Sequence, residues 1–300
     1  MILTITCNPA LDYVMRLPAL QTGAVNRSEG EILIAGGKGI NVSVVLRRLG
    51  LDSTASGFLA GFVGEEILRR CAAEGINTDF VRADGCSRIN VKLRAGVETD
   101  INAAGPEISE DAYDCLLQKL SALQGKDVAV FAGSAPPSLS EEKYAALMRR
   151  ACSARLAVDA SGSLLRRAVQ MRPWLIKPNR EELCGLFGRK GATLSEVRQM
   201  ARELYGSGVK NVLVSLGAEG AFLCGESGRE YFMPAYAGDA VDSVGAGDSM
   251  LAGFLAGRES GFGEEESLRL GAAAGAATAF CVGLASRDAI LQLFEKKDRT

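Results

Sequence analysis

The alternation of short β-rich runs with helical patterns limits the fold of this chain more than any single motif does. Residues 2–6, 54–59, 127–132, 155–159, 175–177 and 211–215 read as short buried strands, and 39–49, 64–74, 109–124, 140–152, 162–170, 179–187 and 194–207 read as helices between them. In the first of these helices Val42, Val45, Leu46 and Leu49 fall at i, i+3, i+4 and i+7, one apolar face that stops at Gly50. Thr193 and Glu196 have the spacing of a capping box. Elements in this order give an α/β fold with a mainly parallel sheet covered by helices on both faces. Two stretches, 12–35 and 86–102, break the alternation, because the strand-like runs 13–17, 30–34, 89–93 and 97–101 have no helices between them. We therefore expect one domain over residues 1–300, with a small β lid built from these two pieces over the C-terminal edge of the sheet.

Composition removes whole classes of chemistry. The 300 residues include no histidine, which excludes Ser-His-Asp and Cys-His machinery, two-histidine iron sites and histidine-bound zinc. Any general base must be a carboxylate, lysine, tyrosine or cysteine. With 34 basic and 36 acidic side chains and no clustered basic stripe, nucleic acid is not an expected partner and a small molecule is. No run approaches the roughly 20 apolar residues of a membrane span, and MILTITCNPALD lacks the basic start and cleavage site of a signal peptide. A cytoplasmic location without membrane association is the expectation. The 8 cysteines stand singly, so zinc-ribbon and thioredoxin-like readings fail on spacing, and most are read as small buried residues in a reducing compartment.

The 35 glycines cluster in loops of the kind that hold phosphate. VDSVGAGDSMLAGF, residues 241–254, is the strongest signal: Gly245, Ala246 and Gly247 turn the backbone tightly, and a helix follows whose positive end lies at Gly247 and Asp248. A carboxylate there is also a good helix cap. AGGKGIN at 35–41 and SLGAEGA at 215–221 are further Gly-rich turns; neither is a Walker A loop or a dinucleotide fingerprint. KPNREEL at 177–183 places Asn179 as an N-cap with Glu182 closing the box, or alternatively as a pair holding water ligands of Mg2+ beside nucleotide phosphates. Asp12, at a strand exit in NPALD, is either a solvated turn residue or an acceptor for sugar hydroxyls. Arg88, Asn90 and Lys92 share one face of a strand because side chains alternate.

Together these segments resemble the phosphofructokinase B branch of the ribokinase-like carbohydrate kinases over nearly the whole chain. GGKGINVSVVLRRLG looks like that family's N-terminal signature and DSVGAGDSMLAGF like its C-terminal one. NPALDYV, INVKL and TDIN with its following GP are most similar to the bacterial 1-phosphofructokinase group, with tagatose-6-phosphate kinases the nearest neighbour and fructose 6-phosphate a further possible acceptor. The resemblance implies a three-layer sandwich with a β lid, ATP and Mg2+ as cofactors, and phosphorylation of D-fructose 1-phosphate at its 6-hydroxyl. It makes Asp248 the catalytic base and the backbone of Gly245, Ala246 and Gly247 the anion hole. Asp12, Gly37, Asn41 and Asn102 would hold sugar hydroxyls, Lys38, Arg88 and Lys92 the sugar's phosphate, and Asn90 and Ser134 would complete the substrate site. Lys177, Asn179, Ser215, Gly217 and Gly220 would contact nucleotide, Asn179 and Glu182 would hold Mg2+ through water, and the helix with Ala274, Gly275 and Thr278 would wall the adenine. A monovalent-cation loop around Asp242 and Ser286 and a homodimer formed through the lid are also implied. The rival readings are a non-catalytic sugar-phosphate sensor, which the intact Asp248 opposes, and a Rossmann-type oxidoreductase, which lacks its fingerprint.

Overall fold

In the computed structural model, which describes residues 1–296, strand β1 (Ile2–Thr6) is buried along its whole length. It has a parallel neighbour on each side, β4 (Thr54–Leu59) and β9 (Val128–Ala132). Parallel strands covered on both faces become near-continuous apolar runs, as in the VAVFA of β9. The sheet continues from β9 through β10 (Arg155–Asp159), β11 (Leu175–Ile176) and β12 (Asn211–Ser215), all parallel, and from β4 to the short β5 (Asn77–Thr78) and β6 (Val81–Arg82). Beyond β12 lie β13 (Ala221–Cys224) and β14 (Glu230–Met233), which pair antiparallel. These last two, and the two-residue β5 and β6, extend the expected sheet at its edges. Edge strands this short carry too few residues to display a period. The end of the expected domain at residue 300 lies outside the described residues.

The strands alternate their side chains between two helical layers. Ala129 and Phe131 of β9 pack with Leu116, Tyr144, Leu165 and Val197 from α3 (Glu110–Ser121), α4 (Glu141–Arg150), α5 (Gly162–Gln170) and α7 (Leu194–Gly206), a layer that also includes α6 (Arg180–Leu186). Val128, Val130 and Ala132 pack on the opposite side with Val42, Leu251, Ala273 and Ile290 from α1 (Lys38–Arg48), α8 (Ala246–Glu259), α9 (Glu264–Ala279) and α10 (Arg287–Glu295). Helix α2 (Gly61–Ala73) joins α1 and β4 in a smaller core. It starts three residues before the expected 64, behind Ala60, whose side chain gives no cap signal. Helices α8 and α9 approach closely enough that a Cβ on Gly253 would fall 2.7 Å from the Leu270 carbonyl oxygen, so small residues fix where the start of α8 sits.

The lid is a separate four-stranded sheet in the order β3 (Gly30–Gly36), β2 (Ala10–Arg16), β7 (Arg88–Ala95), β8 (Val97–Ile101). Its register pairs Asp12 with both Ile34 and Asn90, and Lys92 with both Val14 and Asp100. One face therefore carries Asp12, Arg88, Asn90 and Lys92. The other carries Leu11, Tyr13, Leu33, Ile89, Val91 and Ile101. Among the described residues no helix is long and apolar enough to cross a membrane.

Candidate active site

Three helices begin at one cavity without a side-chain cap: α1 after Gly37, α5 after Ser161 and α8 after Gly245. By contrast, Ser109, Ser140, Asn179, Thr193 and Ser286 cap α3, α4, α6, α7 and α10 with their side chains. Uncapped first turns leave N–H groups and the positive ends of helix dipoles free, and their convergence makes a site for negative charge. Gly245 reaches its place in a left-handed conformation (φ 79°), and a Cβ there would lie 2.6 Å from Leu284 Cδ2. No other residue type suits that turn.

Asp248 follows in the first turn of α8, only 6% exposed. Its Oδ2 accepts a 2.8 Å hydrogen bond from Asn41 Nδ2, which α1 carries across from the neighbouring helix start. Burial, reinforced by repulsion from the Asp159 carboxylate, pushes its pKa up to about 6, against the opposing pull of Asn41, Lys38 and Lys177. A carboxyl poised there changes protonation close to neutral pH and is suited to accepting a proton from a substrate.

The cavity has a volume of about 510 Å³ under the lid, and Asp12, Gly37, Lys38, Asn41, Arg88, Asn90, Ser134 and Asp248 all line it. A second cavity, about 790 Å³, runs between the 215–220 turn, residues 234–238 and α9. Asn179, Ser215 and Gly247 line both, so the two compartments meet at the first turn of α8. Gly217, Gly220, Ala246 and Gly275 line the second one.

Other expected residues are placed differently. Lys92 and Asn102 are not in the first cavity: Lys92 pairs with Asp100 at 3.2 Å and approaches Asp12 at 3.9 Å, and Asn102 is exposed just past β8. Ala274 and Thr278 face the interior rather than the second cavity: Ala274 is fully buried and Thr278 bonds Ser249 Oγ at 2.8 Å. The wall is made by Ala272, Gly275, Ala276 and Ala279, the i, i+3, i+4, i+7 face of the same helix, together with Phe280. Asn179 and Glu182 form a complete capping box, with Asn179 N–H donating to Glu182 Oε2 and Glu182 N–H to Asn179 Oδ1. Asp242 accepts from Val244 N–H at 2.9 Å, and Ser286 caps α10.

Several lining residues escaped the motif reading, Asn8 and Asp159 among them. Asn8 is buried behind β1 and donates to the Ala104 carbonyl at 2.9 Å. Asp159 ends β10 with no exposed surface and takes Lys38 Nζ on Oδ1 at 2.8 Å and Lys177 Nζ on Oδ2 at 3.1 Å. Burial alone would raise its pKa, but Lys177 and Lys38 outweigh it and hold the carboxyl below its ordinary value. For Lys38, burial opposes the charge, yet Asp159 with help from Asp248 and Glu182 holds the ammonium above the usual lysine range. The signal for Asp159 in the sequence is a carboxylate closing the short strand RLAVD, whose three middle residues are apolar. Arg88 has no ion-pair partner among the described residues, and its Nε donates to the Asn8 carbonyl at 3.1 Å.

A parallel α/β core, a small sheet over its C-terminal edge and a buried aspartate at an uncapped helix start together define a ribokinase-like small-molecule kinase. The family model for pfkB family carbohydrate kinases matches residues 6–289, and the chain belongs to that family. It is 40% identical to a Bacillus subtilis 1-phosphofructokinase over 296 residues, 98% of this chain and 97% of that one. It is 37% identical to a Bacillus licheniformis D-tagatose-1-phosphate kinase, covering 95% and 94% of the two chains. The crystal structure of Escherichia coli phosphofructokinase-2 in complex with fructose-6-phosphate superposes with a TM-score of 0.91 at 29% identity, covering 98% of this chain and 97% of that one. The protein is thus a sugar kinase.

Proposed function

We propose that this chain transfers the γ-phosphoryl group of ATP to the 6-hydroxyl of D-fructose 1-phosphate, giving ADP and fructose 1,6-bisphosphate. The observation that carries this reading is the meeting of the two cavities at Gly247, with the buried Asp248 one residue further on. The lidded cavity takes the sugar phosphate and the open cleft takes ATP, which brings the reacting ends together at the start of α8. Asp248 accepts the 6-hydroxyl proton as the oxygen bonds to the γ-phosphorus and the bond to the leaving ADP oxygen breaks. The N–H groups of Gly245 and Gly247 stabilise charge on the moving phosphoryl group, while that of Ala246 is taken by the Ser243 carbonyl at 3.2 Å; positioning and electrostatics supply most of the catalysis. Asp12, Gly37, Asn41 and Asn90 are suited to the sugar hydroxyls, with Ser134 at the same wall. Arg88 and Lys38 are suited to the phosphate the sugar already carries.

The donor set fits Mg2+ held largely by water and nucleotide. No group of three or more carboxylate or thiolate ligands exists among the described residues, and Mg2+ keeps several waters when it bridges phosphates. The capping box occupies Glu182 Oε2, which leaves Oε1, with Asn179, to orient such waters. Bound there, Mg2+ would neutralise charge on the nucleotide's phosphates. Lys177, Ser215, Gly217 and Gly220 border the phosphate end of the nucleotide and the small-residue face of α9 its base.

The apolar outer face of the lid, with Leu33, Ile89 and Ile101 partly exposed on the side away from Asp12, supports a homodimer formed through the lid. All 8 cysteines are free, which suits a reducing cytoplasm. The D-tagatose-1-phosphate kinase relative supports a second acceptor differing at one hydroxyl. A coupled ADP-release assay comparing fructose 1-phosphate, tagatose 1-phosphate, fructose 6-phosphate and tagatose 6-phosphate tests the reading. We expect the highest kcat/KM with fructose 1-phosphate; a preference for any other acceptor overturns the substrate and keeps the chemistry.

A further inference from the structure

The two capping boxes of this fold each serve one helix, but the Asp159 carboxylate joins two lysines from distant parts of the chain. It lies at the C-terminal end of β10 with no exposed surface, and its two oxygens take ammonium groups from different parts of the chain. Lys38 is the first residue of α1 and lines only the lidded cavity. Lys177 leaves β11, and its Nζ lies 3.2 Å from where a Cβ on Gly247 would stand, directly beneath the uncapped start of α8. Both lysines therefore line the lidded cavity, Lys177 at its end beside Gly247, where the second cavity begins.

We infer that Asp159 is a positioning residue for phosphoryl transfer, holding Lys38 toward the sugar phosphate and Lys177 toward the phosphoryl group at Gly247 through one shared carboxylate. A long lysine side chain loses rotamer freedom when it is fixed. Fixing both beforehand removes that cost from the moment substrates bind. The shared carboxylate also limits the positive charge: it offsets one of the two ammonium groups, and Asp248 beside Gly247 offsets the other when it is ionised. An unpaired buried lysine would instead give up its proton or draw in water. The geometry of Lys38, Lys177 and Gly247 thus depends on a residue that need not touch substrate. Asn41 holds Asp248 from the other side, so the base and the two cations are oriented by separate groups.

This inference rests on the kinase reading above, and its test is arranged to fail separately. In a steady-state assay of ADP release, Asp159→Asn should lower kcat at least tenfold and raise the KM of both ATP and the sugar phosphate severalfold, because a neutral amide cannot pair with two ammonium groups. Lys38→Met added to Asp159→Asn should cost less than threefold more, although alone it raises the sugar-phosphate KM by tenfold or more; such non-additivity is the mark of residues acting together. Wild-type kcat and KM values in Asp159→Asn, or fully additive effects, overturn the positioning role while leaving an active kinase. An unmodified protein that phosphorylates none of the four sugar phosphates overturns the kinase reading instead. In that event, or if Asp159→Asn folds poorly, thermal unfolding of the Asp159 and Lys177 variants decides whether the bridge exists. Asp159→Asn should lower Tm and Lys177→Met in the same chain should recover part of the loss, whereas additive losses refute the shared carboxylate.

Discussion

The two compartments of this site recognise by different means. The lidded cavity is built from charged and amide side chains, Asp12, Lys38, Asn41, Arg88, Asn90, Asp159 and Asp248, each held by a partner on another element. The open cleft is larger, about 790 Å³ against about 510 Å³, and its far wall is Ala272, Gly275, Ala276, Ala279 and Phe280. One side discriminates by placed hydrogen bonds, whose loss leaves buried groups unpaired, and the other admits a ligand by leaving room for it. In the proposed reaction, proton transfer belongs to the first side. Substitutions on the two sides should therefore have separable kinetic signatures.

The largest effect should come from Asp248→Asn, which keeps the hydrogen bond to Asn41 but cannot take a proton. We expect kcat to fall by about 10²-fold or more, a magnitude usual for loss of a general base, with both KM values little changed. Near-normal turnover would remove Asp248 from the chemistry. The same variant has a stability signature of definite sign. The folded-state pKa of about 6 lies above the unfolded value, near 3.9 for an aspartate, so the folded chain binds more protons between about pH 4 and 6 and loses stability as pH rises through that window. Asp248→Asn removes the cost of the buried charge. Denaturant unfolding should find it more stable than the wild type above pH 6, by up to about 3 kcal/mol from a shift of roughly two units, and no different below about pH 4. The acid limb of wild-type kcat/KM should fall in the same window.

Next come two substitutions that set the compartments against each other. Arg88→Met removes from the lidded cavity a cation that has no acidic ion-pair partner among the described residues, and loss of a hydrogen bond to a charged group costs about 1.5–3 kcal/mol. The sugar-phosphate KM should rise about 10- to 100-fold while the ATP KM stays within twofold. Ala276→Phe fills the open cleft instead, and should raise the ATP KM about tenfold, in line with the roughly 1–3 kcal/mol cost of overpacking, without moving the sugar-phosphate KM. If either variant moves both values equally, the compartments are not independent and the contrast fails.

That contrast was only partly legible in the residues. The buried parallel strands declared themselves as apolar runs, and the Gly-rich turns pointed to α1 and α8 because glycine is what an uncapped, left-handed helix entry demands. The lid's polar face followed from simple alternation. Helix α9 was harder: GAAAGAATA has almost no contrast in hydrophobicity, so periodicity could not separate Gly275, which lines the cleft, from Ala274 and Thr278, which pack inward. Asp159 stayed hidden because its partners are 121 and 18 positions away and a carboxylate ending a strand looks like a turn residue. The pairing of Asn179 with Glu182 could be read locally, since a capping box spans only four residues. Long-range pairing, not residue type, is what a single sequence conceals.

The smallest expected effect separates a residue that shares a strand face from one that shares a site. Lys92 projects on the same side of β7 as Arg88 and Asn90, which made it a natural phosphate ligand. Across the hairpin it stands opposite Asp100, whose carboxylate takes it at 3.2 Å, and Arg94 joins the same carboxylate at 3.1 Å. Burial works against the charge of Asp100, but the two cations prevail and hold its pKa below the ordinary range. A cation already satisfied in this way, lining a small neighbouring cavity of about 90 Å³ and not the lidded one, has little to give a substrate, and partly exposed ion pairs are worth about 0–1 kcal/mol. Lys92→Met should therefore change the sugar-phosphate KM by less than about threefold, with kcat and the ATP KM unchanged. An effect as large as that of Arg88→Met would mean that the lid moves Lys92 off Asp100 and into the cavity when the sugar phosphate binds. The lidded compartment would then owe its charge to closure and not to Lys38 and Arg88 alone.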